Sequence, residues 1–231
     1  MSVVLGIITA RGGSKGIKNK NICLLHDKPL IHYTIEAAQK SSMLDDLVLS
    51  TDSQDIVNSC SLAGLQCDAL RPAHLSTDEA KSSDVLLYEI ERYESVRNKK
   101  VDTVILLQPT APLRTSQDID QAYDLYTTAG QESLISCYNA DFVHPRIMYE
   151  EKNGLLTPFM KEGNDIVRRQ EMSHVYVRNG AIYIVDRDYF MRTRRTVSES
   201  PSLYEMPVKR SINIDRYEDL ELASFYLGAK P

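Results

Sequence analysis

Short apolar runs alternate with longer amphipathic stretches through the first two thirds of the chain. The apolar runs have the length and composition of buried strands, and they predict strands at residues 3–9, 46–51, 66–70, 103–107 and 133–138. The stretches between them repeat apolar residues at helical spacing, as Leu86, Ile90 and Tyr93 do. This alternation predicts an α/β fold in which helices cover a mostly parallel sheet.

The pattern changes between residues 141 and 178, where the Asn153-Gly154 pair predicts a β-hairpin outside the main sheet. Strand periodicity returns at residues 181–185, and a last short strand is predicted at 211–214. Leu220, Ala223 and Leu227 then define a closing helix. Because the chain has 231 residues without a repeat or low-complexity segment, we expect a single domain, residues 1–231, into which residues 141–178 are inserted.

Composition narrows the classes of function. The formal net charge of -5 and the pI near 5.6 argue against general nucleic-acid or membrane-surface binding, which needs a broad positive potential. No apolar run approaches the ~20 residues that span a bilayer, and the amino-terminal segment lacks a signal-peptide pattern, so a cytoplasmic location is expected. The four cysteines and five histidines show no ligand spacing, which predicts free thiols and no transition metal.

A glycine-rich basic segment, ARGGSKGIKNKN, follows the first predicted strand at residues 10–21. Neither of the phosphate-binding patterns G-x-x-x-x-G-K-[ST] and G-x-G-x-x-G describes it. Its glycines allow close backbone approach, and its arginine and lysines can neutralise a polyphosphate. The segment therefore predicts a nucleotide-phosphate site, with a solvated basic turn as the alternative.

Three further polar segments are predicted at the same edge, because open parallel sheets bind ligands at the carboxyl ends of their strands. Arg71-Pro72 follows the third predicted strand. Prolines fix the path of residues 108–114, so that Gln108 can present its amide to a base or to sugar hydroxyls, although a turn that only redirects the chain fits equally. Asn213 and Asp215 can offer oxygen ligands to Mg²⁺ from one side of a strand, unless Asp215 caps the final helix.

Six segments, taken in order, resemble the acylneuraminate cytidylyltransferases over nearly the whole chain. They are ARGGSKGIKNKNI (10–22), LVLSTDSQDI (47–56), RPAHLSTD (71–78), LLQPTAPLR (106–114), RRQ followed by VRNGAIYIV (168–185) and INIDRYEDLELA (212–223). The resemblance implies a Rossmann-like three-layer nucleotidyltransferase fold. It also implies transfer of the cytidylyl group from CTP to the anomeric hydroxyl of a nonulosonic acid, such as N-acetylneuraminic, legionaminic or pseudaminic acid, with release of pyrophosphate.

The resemblance also implies roles for individual residues. The catalytic residues would be Arg11, Lys20 and Asp215, and the cofactor would be Mg²⁺, held by Asp215 and Asn213. The CTP contacts would be Ala10, Gly12, Gly13, Ser14, Lys15, Asn21, Arg71 and either Ser82 or Ser83. The sugar contacts would be Gln108, Arg169, Gln170, Asn179 and Tyr183, with Arg169 as the candidate partner of the sugar carboxylate. Residues 141–178 would form a dimerisation element, so a homodimer is expected.

The chain departs from the family pattern at two positions. The family commonly carries D-x-D in its last motif, whereas this chain has Asn213-x-Asp215, so one anionic ligand is replaced by an amide. Weaker metal binding is expected rather than loss of activity, because Mg²⁺ that already binds phosphate oxygens tolerates a neutral ligand. Lys18 stands where a proline is frequent, which adds a charge to the basic segment.

The implied mechanism is in-line attack of the sugar 2-hydroxyl on the α-phosphate of CTP, with Mg²⁺ and the basic segment stabilising the developing charge. No histidine lies in a recognisable site motif, so no side chain is assigned as a general base. Rival readings are a cytidylyltransferase for an eight-carbon sugar acid, a transferase for sugar 1-phosphates, and a nucleotide sensor that has lost the chemistry.

Overall fold

The computed structural model describes residues 3–161 and 172–228, which form a central sheet with helices and a separate hairpin. The strands are β1 (Val4–Thr9), β2 (Leu24–Leu25), β3 (Lys28–Pro29), β4 (Asp46–Ser50), β5 (Thr103–Leu107), β6 (Ser133–Asn139), β7 (Tyr149–Lys152), β8 (Leu155–Pro158), β9 (Tyr176–Asp186) and β10 (Ser202–Glu205). The helices are α1 (Leu30–Gln39), α2 (Gln54–Leu62), α3 (Ser82–Arg97), α4 (Ser116–Ala129), α5 (Arg187–Thr193) and α6 (Tyr217–Gly228).

The central sheet has six strands in the order β10-β6-β9-β5-β1-β4. Strand β1 pairs in parallel with β4 and β5, and β10 pairs in parallel with β6. Strand β9 runs antiparallel to both β5 and β6, so its amino-terminal end lies at the edge where the other strands end. The predicted mostly parallel α/β fold is confirmed.

Helices bury both faces of this sheet, which explains why the strands read as continuous apolar runs. Successive side chains of β1 point to opposite faces. On one face Ile8 packs in a cluster with Ile31 of α1. On the other face Ile7 packs with Leu86 of α3 and with Phe190 of α5. The molecule therefore has three layers, with the strand ends and their loops left open at the sheet edge.

Two predicted strands are wrong. Residues 66–70 are irregular, with a bend at residues 68 and 69 and no strand partner, because polar Gln66 and Asp68 interrupt a run whose Leu70 is exposed. Residues 211–214 are also irregular, although the Ile214 amide donates to the Thr110 carbonyl at 2.8 Å. Strand β10, a four-residue edge strand, was not predicted, and β9 begins earlier than predicted, at Tyr176.

The hairpin predicted at Asn153-Gly154 is confirmed. It joins β7 and β8, and both turn residues have positive φ, 55° and 79°, as the tightest hairpin turns require. The adjacent residues Leu155 and Leu156 are 72% and 70% exposed. Because neighbouring strand residues point to opposite faces, neither face of the hairpin is packed within the described part of the chain.

Candidate active site

The basic segment crosses the carboxyl edge of the sheet directly after β1. It borders a cavity of about 500 Å³ that is also walled by the segment after β5 and by residues 213–215. The lining residues are Thr9, Arg11, Ser14, Lys15, Gly16, Lys20, Asn21, Gln108, Pro109, Thr110, Asn213 and Asp215. The structure therefore brings together residues that are about two hundred positions apart in the chain, as the position of strand ends in α/β folds requires.

The basic segment is clamped against residues 213–215 at several points. Lys20 Nζ donates to the Ile214 carbonyl at 2.8 Å and to Asp215 Oδ1 at 2.9 Å. A Cβ atom on Gly16 would lie 2.4 Å from the Asp215 carbonyl oxygen, so only glycine fits there. Ile17 and Ile214 are buried in one apolar cluster beneath this contact. The fold thus holds the Lys20 ammonium at a fixed place on the cavity wall.

Asn21, at the end of the basic segment, forms a hydrogen bond to the start of the same segment. Its side chain is buried, and its Nδ2 donates to the Arg11 carbonyl at 3.0 Å. The carbonyl contact fixes the backbone at Arg11, whose guanidinium remains partly exposed at the cavity. Asn21 therefore shapes the basic segment as well as lining the cavity.

Arg11 and Lys15 share a carboxylate partner, Asp78. Arg11 Nη1 lies 2.7 Å from Asp78 Oδ1, and Lys15 Nζ lies 2.7 Å from Asp78 Oδ2. The Lys15 ammonium, together with Arg11, lowers the pKa of the Asp78 carboxyl below its ordinary value. Two predicted phosphate-binding cations are therefore paired with a carboxylate of the protein itself.

A second cavity of about 250 Å³ adjoins the first and shares Thr9 and Arg11 with it. Its further lining residues are Arg71, Leu75, Thr77, Asp78, Ala80, Ser82 and Val85. Arg71 is buried, and its Nε donates to Ser76 Oγ at 3.1 Å. Burial lowers the pKa of the Arg71 guanidinium, although the charge of Asp52 opposes this effect. The site thus has a cationic lobe and a smaller lobe beside the start of α3.

Gln108 lies in the first cavity beside Gly180 and Arg114, neither of which was predicted as a site residue. Gly180 has a φ of +74°, and a Cβ there would lie 2.7 Å from Gln108 Oε1. Arg114 is buried and donates to the Ala181 carbonyl at 2.7 Å, which ties the segment after β5 to β9. Burial lowers the pKa of Arg114 to about 10. The position of Gln108 at the cavity is therefore set by the close approach of Gly180 and by the hydrogen bond between Arg114 and β9.

Asn179 was predicted to contact the sugar, but the structure gives its side chain a positioning role. The amide is buried, accepting from Ser136 Oγ at 2.6 Å and donating to Ser211 Oγ at 2.9 Å. It also accepts from the Ala181 amide and donates to Met206 Sδ. Because both amide atoms are committed to the protein, Asn179 has no free donor or acceptor for a ligand.

The other residues predicted to contact CTP or the sugar differ in whether they line the two cavities. Tyr183 packs half-buried on the face of the sheet that α3 covers, outside the lining of both cavities, so its predicted sugar contact is not supported. Ser82 lines the second cavity, whereas Ser83 is not among the lining residues. Ala10, Gly12 and Gly13 also lie outside the two linings, although they belong to the basic segment. Arg169 and Gln170 lie outside the described residues.

Asp215 and Asn213 are exposed in the wall of the first cavity, and the Asp215 side chain is 66% exposed. The Asp215 carboxylate accepts from Lys20 Nζ rather than from an amide of α6, and Asp219 Oδ2 accepts from the backbone amides of residues 215 and 216 at the start of this helix. A carboxylate and an amide oxygen are hard donors that fit Mg²⁺, which typically keeps water and phosphate oxygens as its other ligands. The donor set present here therefore fits this ion.

A cationic lobe beside a smaller lobe, at the open edge of a three-layer sheet, is the arrangement in which α/β proteins bind nucleotides. The family model described as Cytidylyltransferase matches residues 5–229. The chain belongs to this family and is a nucleotidyltransferase.

Curated relatives share about a third of the sequence. N-acylneuraminate cytidylyltransferase of Streptococcus agalactiae is 33% identical over 223 residues, covering 92% of this chain but 50% of that protein. Pseudaminic acid cytidylyltransferase of Campylobacter jejuni is 32% identical over 219 residues, covering 95% of this chain and 94% of that protein. CMP-N,N'-diacetyllegionaminic acid synthase of the same species is 32% identical over 230 residues, covering 100% of this chain and 97% of that protein. The chain thus spans about half of the streptococcal relative and nearly all of the other two.

Solved structures support the fold at much lower identity. A CMP:2-keto-3-deoxy-manno-octonic acid synthetase complexed with CTP superposes with a TM-score of 0.69 at 16% identity, covering 98% of both chains. A 4-diphosphocytidyl-2C-methyl-D-erythritol synthase from Anaerococcus prevotii gives 0.65 at 10% identity, covering 99% of both. Separately, no helix in residues 3–161 and 172–228 combines the length and apolarity needed to cross a membrane.

Proposed function

We propose that this chain transfers the CMP group from CTP to the anomeric hydroxyl of a nonulosonic acid and releases pyrophosphate. The observation that carries this proposal is the two-lobed site, in which Arg11 joins the cation-lined cavity to the smaller cavity that contains Arg71. The activities for which the N-acylneuraminate, pseudaminic acid and legionaminic acid relatives are named support it. Because these relatives are about equally similar, the sugar within this class stays open.

In this proposal, each of the two lobes binds a different part of CTP. The triphosphate lies against the basic segment, where Arg11, Lys15 and Lys20 supply positive charge. The cytidine lies in the second cavity, where the Arg71 guanidinium can donate to the acceptor atoms of cytosine and Ser82 can bond the ribose or base. The acceptor sugar approaches from the side of Gln108, whose amide can both donate and accept.

The chemistry consists mainly of positioning and charge stabilisation. The sugar 2-hydroxyl attacks the α-phosphorus in line, and pyrophosphate leaves on the opposite side. Lys20, fixed by the Ile214 carbonyl and Asp215, needs little reorganisation to meet the charge that develops on the phosphoryl oxygens. Asp215 and Asn213 would hold Mg²⁺, which would supply further charge neutralisation and lower the pKa of the attacking hydroxyl. The proton of that hydroxyl passes to water, since no side chain is assigned as a general base.

A pyrophosphate-release assay tests the proposal. CTP and MgCl₂ are incubated with the protein and, in parallel, with N-acetylneuraminic, legionaminic or pseudaminic acid and with an eight-carbon keto sugar acid. We expect pyrophosphate and a CMP-sugar with a nonulosonic acid. A preference for the eight-carbon acid would favour the first rival activity, and CTP binding without pyrophosphate release from any acceptor would favour a sensor. A cytoplasmic location, where CTP is available, stays a prediction.

Asp78 gives a prediction about CTP affinity. Because the CTP phosphates must compete with the Asp78 carboxylate for Arg11 and Lys15, Asp78→Asn is expected to lower the Kd for CTP about threefold. Calorimetric titration at low ionic strength measures the change. Glu79→Gln is the matched control, since it removes the same charge from the neighbouring exposed residue. Equal effects of the two variants would mean that general electrostatics, rather than competition, governs the affinity.

A homodimer formed by residues 141–178 is also part of the proposal. An isolated two-stranded hairpin is marginally stable in water, yet β7 and β8 expose large apolar side chains, and Phe142, Ile147 and Phe159 beside them are more than half exposed. A second copy of the chain can cover these groups. Light scattering at micromolar protein is expected to give twice the monomer mass.

Leu156→Glu tests this interface, because it places a charge on the exposed apolar face of the hairpin. We expect the variant to give the monomer mass in the same measurement. Leu62→Glu is the control, since Leu62 is 86% exposed on α2, far from the hairpin in the chain. A monomeric wild-type protein with full activity would refute the dimer.

A further inference from the structure

Asp52 contacts the basic segment at Gly12 and faces Arg71 of the second cavity. It follows β4 at the carboxyl edge of the sheet, and its side chain is 28% exposed. Asp52 Oδ1 accepts from the Gly12 amide at 2.9 Å and lies 3.8 Å from Arg71 Nη2. One carboxylate oxygen therefore contacts the backbone of the basic segment and faces the guanidinium of the nucleoside lobe.

The surroundings of Gly12 make this contact specific. A Cβ on Gly12 would lie 3.0 Å from Ser53 Cβ, so the basic segment rests closely on the turn formed by residues 52 and 53. Capping of α2 falls to Ser53, whose Oγ accepts from the Ile56 amide. The Asp52 carboxylate is thus free of the capping role that its position before a helix suggests.

The Asp52 carboxylate also faces the buried guanidinium of Arg71. Arg71 has 4% of its side chain exposed, and a buried guanidinium is costly without a counter-charge. Its Nε is bonded to neutral Ser76 Oγ, and its amide donates to the Thr51 carbonyl at 2.7 Å. Asp52 is the anion within 4 Å of this guanidinium in the described part of the chain.

We propose that Asp52 is a positioning residue that couples the phosphate-binding segment to the nucleoside lobe by orienting the Gly12 amide and the Arg71 guanidinium together. The inference rests on the proposed function, since it assumes that CTP spans the two lobes. Asp52 is not among the residues that line either cavity. Its effect is therefore expected in CTP affinity and KM rather than in kcat.

Two variants separate the two tasks of Asp52. Asp52→Asn keeps a side-chain carbonyl oxygen for the Gly12 amide but removes the charge that faces Arg71. Asp52→Ala removes both. Calorimetry uses three probes on each protein: CTP, cytidine and inorganic tripolyphosphate. Asp55→Asn on the first turn of α2 is the control for the loss of one nearby charge, because Asp55 is exposed.

The expected pattern differs between the probes. Asp52→Asn should weaken CTP and cytidine binding about tenfold while leaving tripolyphosphate binding within twofold of wild type. Asp52→Ala should weaken all three, with CTP affected by on the order of 10²-fold. For Asp52→Asn, kcat at saturating CTP should remain within threefold of wild type, and its melting temperature should match that of Asp55→Asn.

Three results would overturn the inference. They are wild-type affinity for CTP in Asp52→Ala, equal weakening of cytidine and tripolyphosphate in Asp52→Asn, and a fall in kcat without a change in KM. Failure of the proposed function is visible separately, because a wild-type protein without transferase activity would release no pyrophosphate with any acceptor, whatever the binding data on the variants.

Discussion

Lys20→Ala is expected to lower kcat on the order of 10²-fold or more, because a preorganised cation that meets developing charge contributes that much to catalysis. The ammonium is held by the Ile214 carbonyl and by Asp215, so it is available without reorganisation. Pyrophosphate release at saturating CTP and sugar measures the effect. A smaller change in KM than in kcat is expected, since the interaction strengthens in the transition state.

Lys18→Ala is the matched control for this prediction. Lys18 belongs to the same basic segment and is exposed, but it is not among the residues that line the cavity. Its removal takes away one positive charge without removing a group fixed at the cavity wall, so kcat should stay within about twofold of wild type. Equal losses in the two variants would reduce the role of Lys20 to general electrostatics, and an unchanged kcat in Lys20→Ala would remove the role.

Asp215→Asn is expected to lower kcat on the order of 10²-fold and to raise the Mg²⁺ concentration needed for half-maximal activity. The variant replaces the one carboxylate of the proposed Asn213-x-Asp215 metal site by a second amide. The fold should be unaffected, because Asp215 is exposed and the residue that supports the start of α6 is Asp219. The Mg²⁺ dependence of pyrophosphate release measures both effects.

A second readout separates metal binding from catalysis. Calorimetric titration of CTP with and without MgCl₂ should show that added Mg²⁺ improves CTP affinity in the wild type more than in Asp215→Asn. Glu218→Gln, an exposed acid in the first turn of α6, controls for the loss of charge. If Asp215→Asn keeps the wild-type Mg²⁺ dependence in both measurements, the metal role of this residue is wrong.

The fold was predictable where burial on both sheet faces leaves an unmistakable apolar run, as in β1 and β5. It was not predictable where pairing is decided at a distance. Strand β10 is short and mixed in polarity, and it exists because β6 offers an edge. The start of β9 contains Arg178 and Asn179, whose polarity hides a strand that continues into the core.

The basic segment was predictable because glycines and cations concentrate there after a strand. Its internal partners were not. Asp52, Asp78 and Gly180 are ordinary residues in their own segments, and their importance arises from contacts with residues in other segments of the chain. Asn179 was expected to contact the sugar only because of the family resemblance, and its amide instead bonds Ser136 and Ser211, which lie in other segments of the chain.

These contacts make the site one unit rather than a set of independent groups. Asp215 bonds Lys20, Asn21 bonds the Arg11 backbone, and Asp52 connects that region to Arg71. Internal contacts thus hold the groups of the cationic lobe in place, which reduces the entropy that CTP binding must overcome. Preorganisation of this kind is what phosphoryl transfer requires, since little covalent chemistry is left to the protein.

A crystal structure of the wild-type protein soaked with CTP and MgCl₂ is the most direct test of the account. We predict density for the triphosphate between the basic segment and Asp215, with cytosine beside Arg71 and Ser82. Triphosphate density elsewhere on the molecule, or cytosine in the first cavity with the phosphates turned away from Lys20, would contradict the central claim.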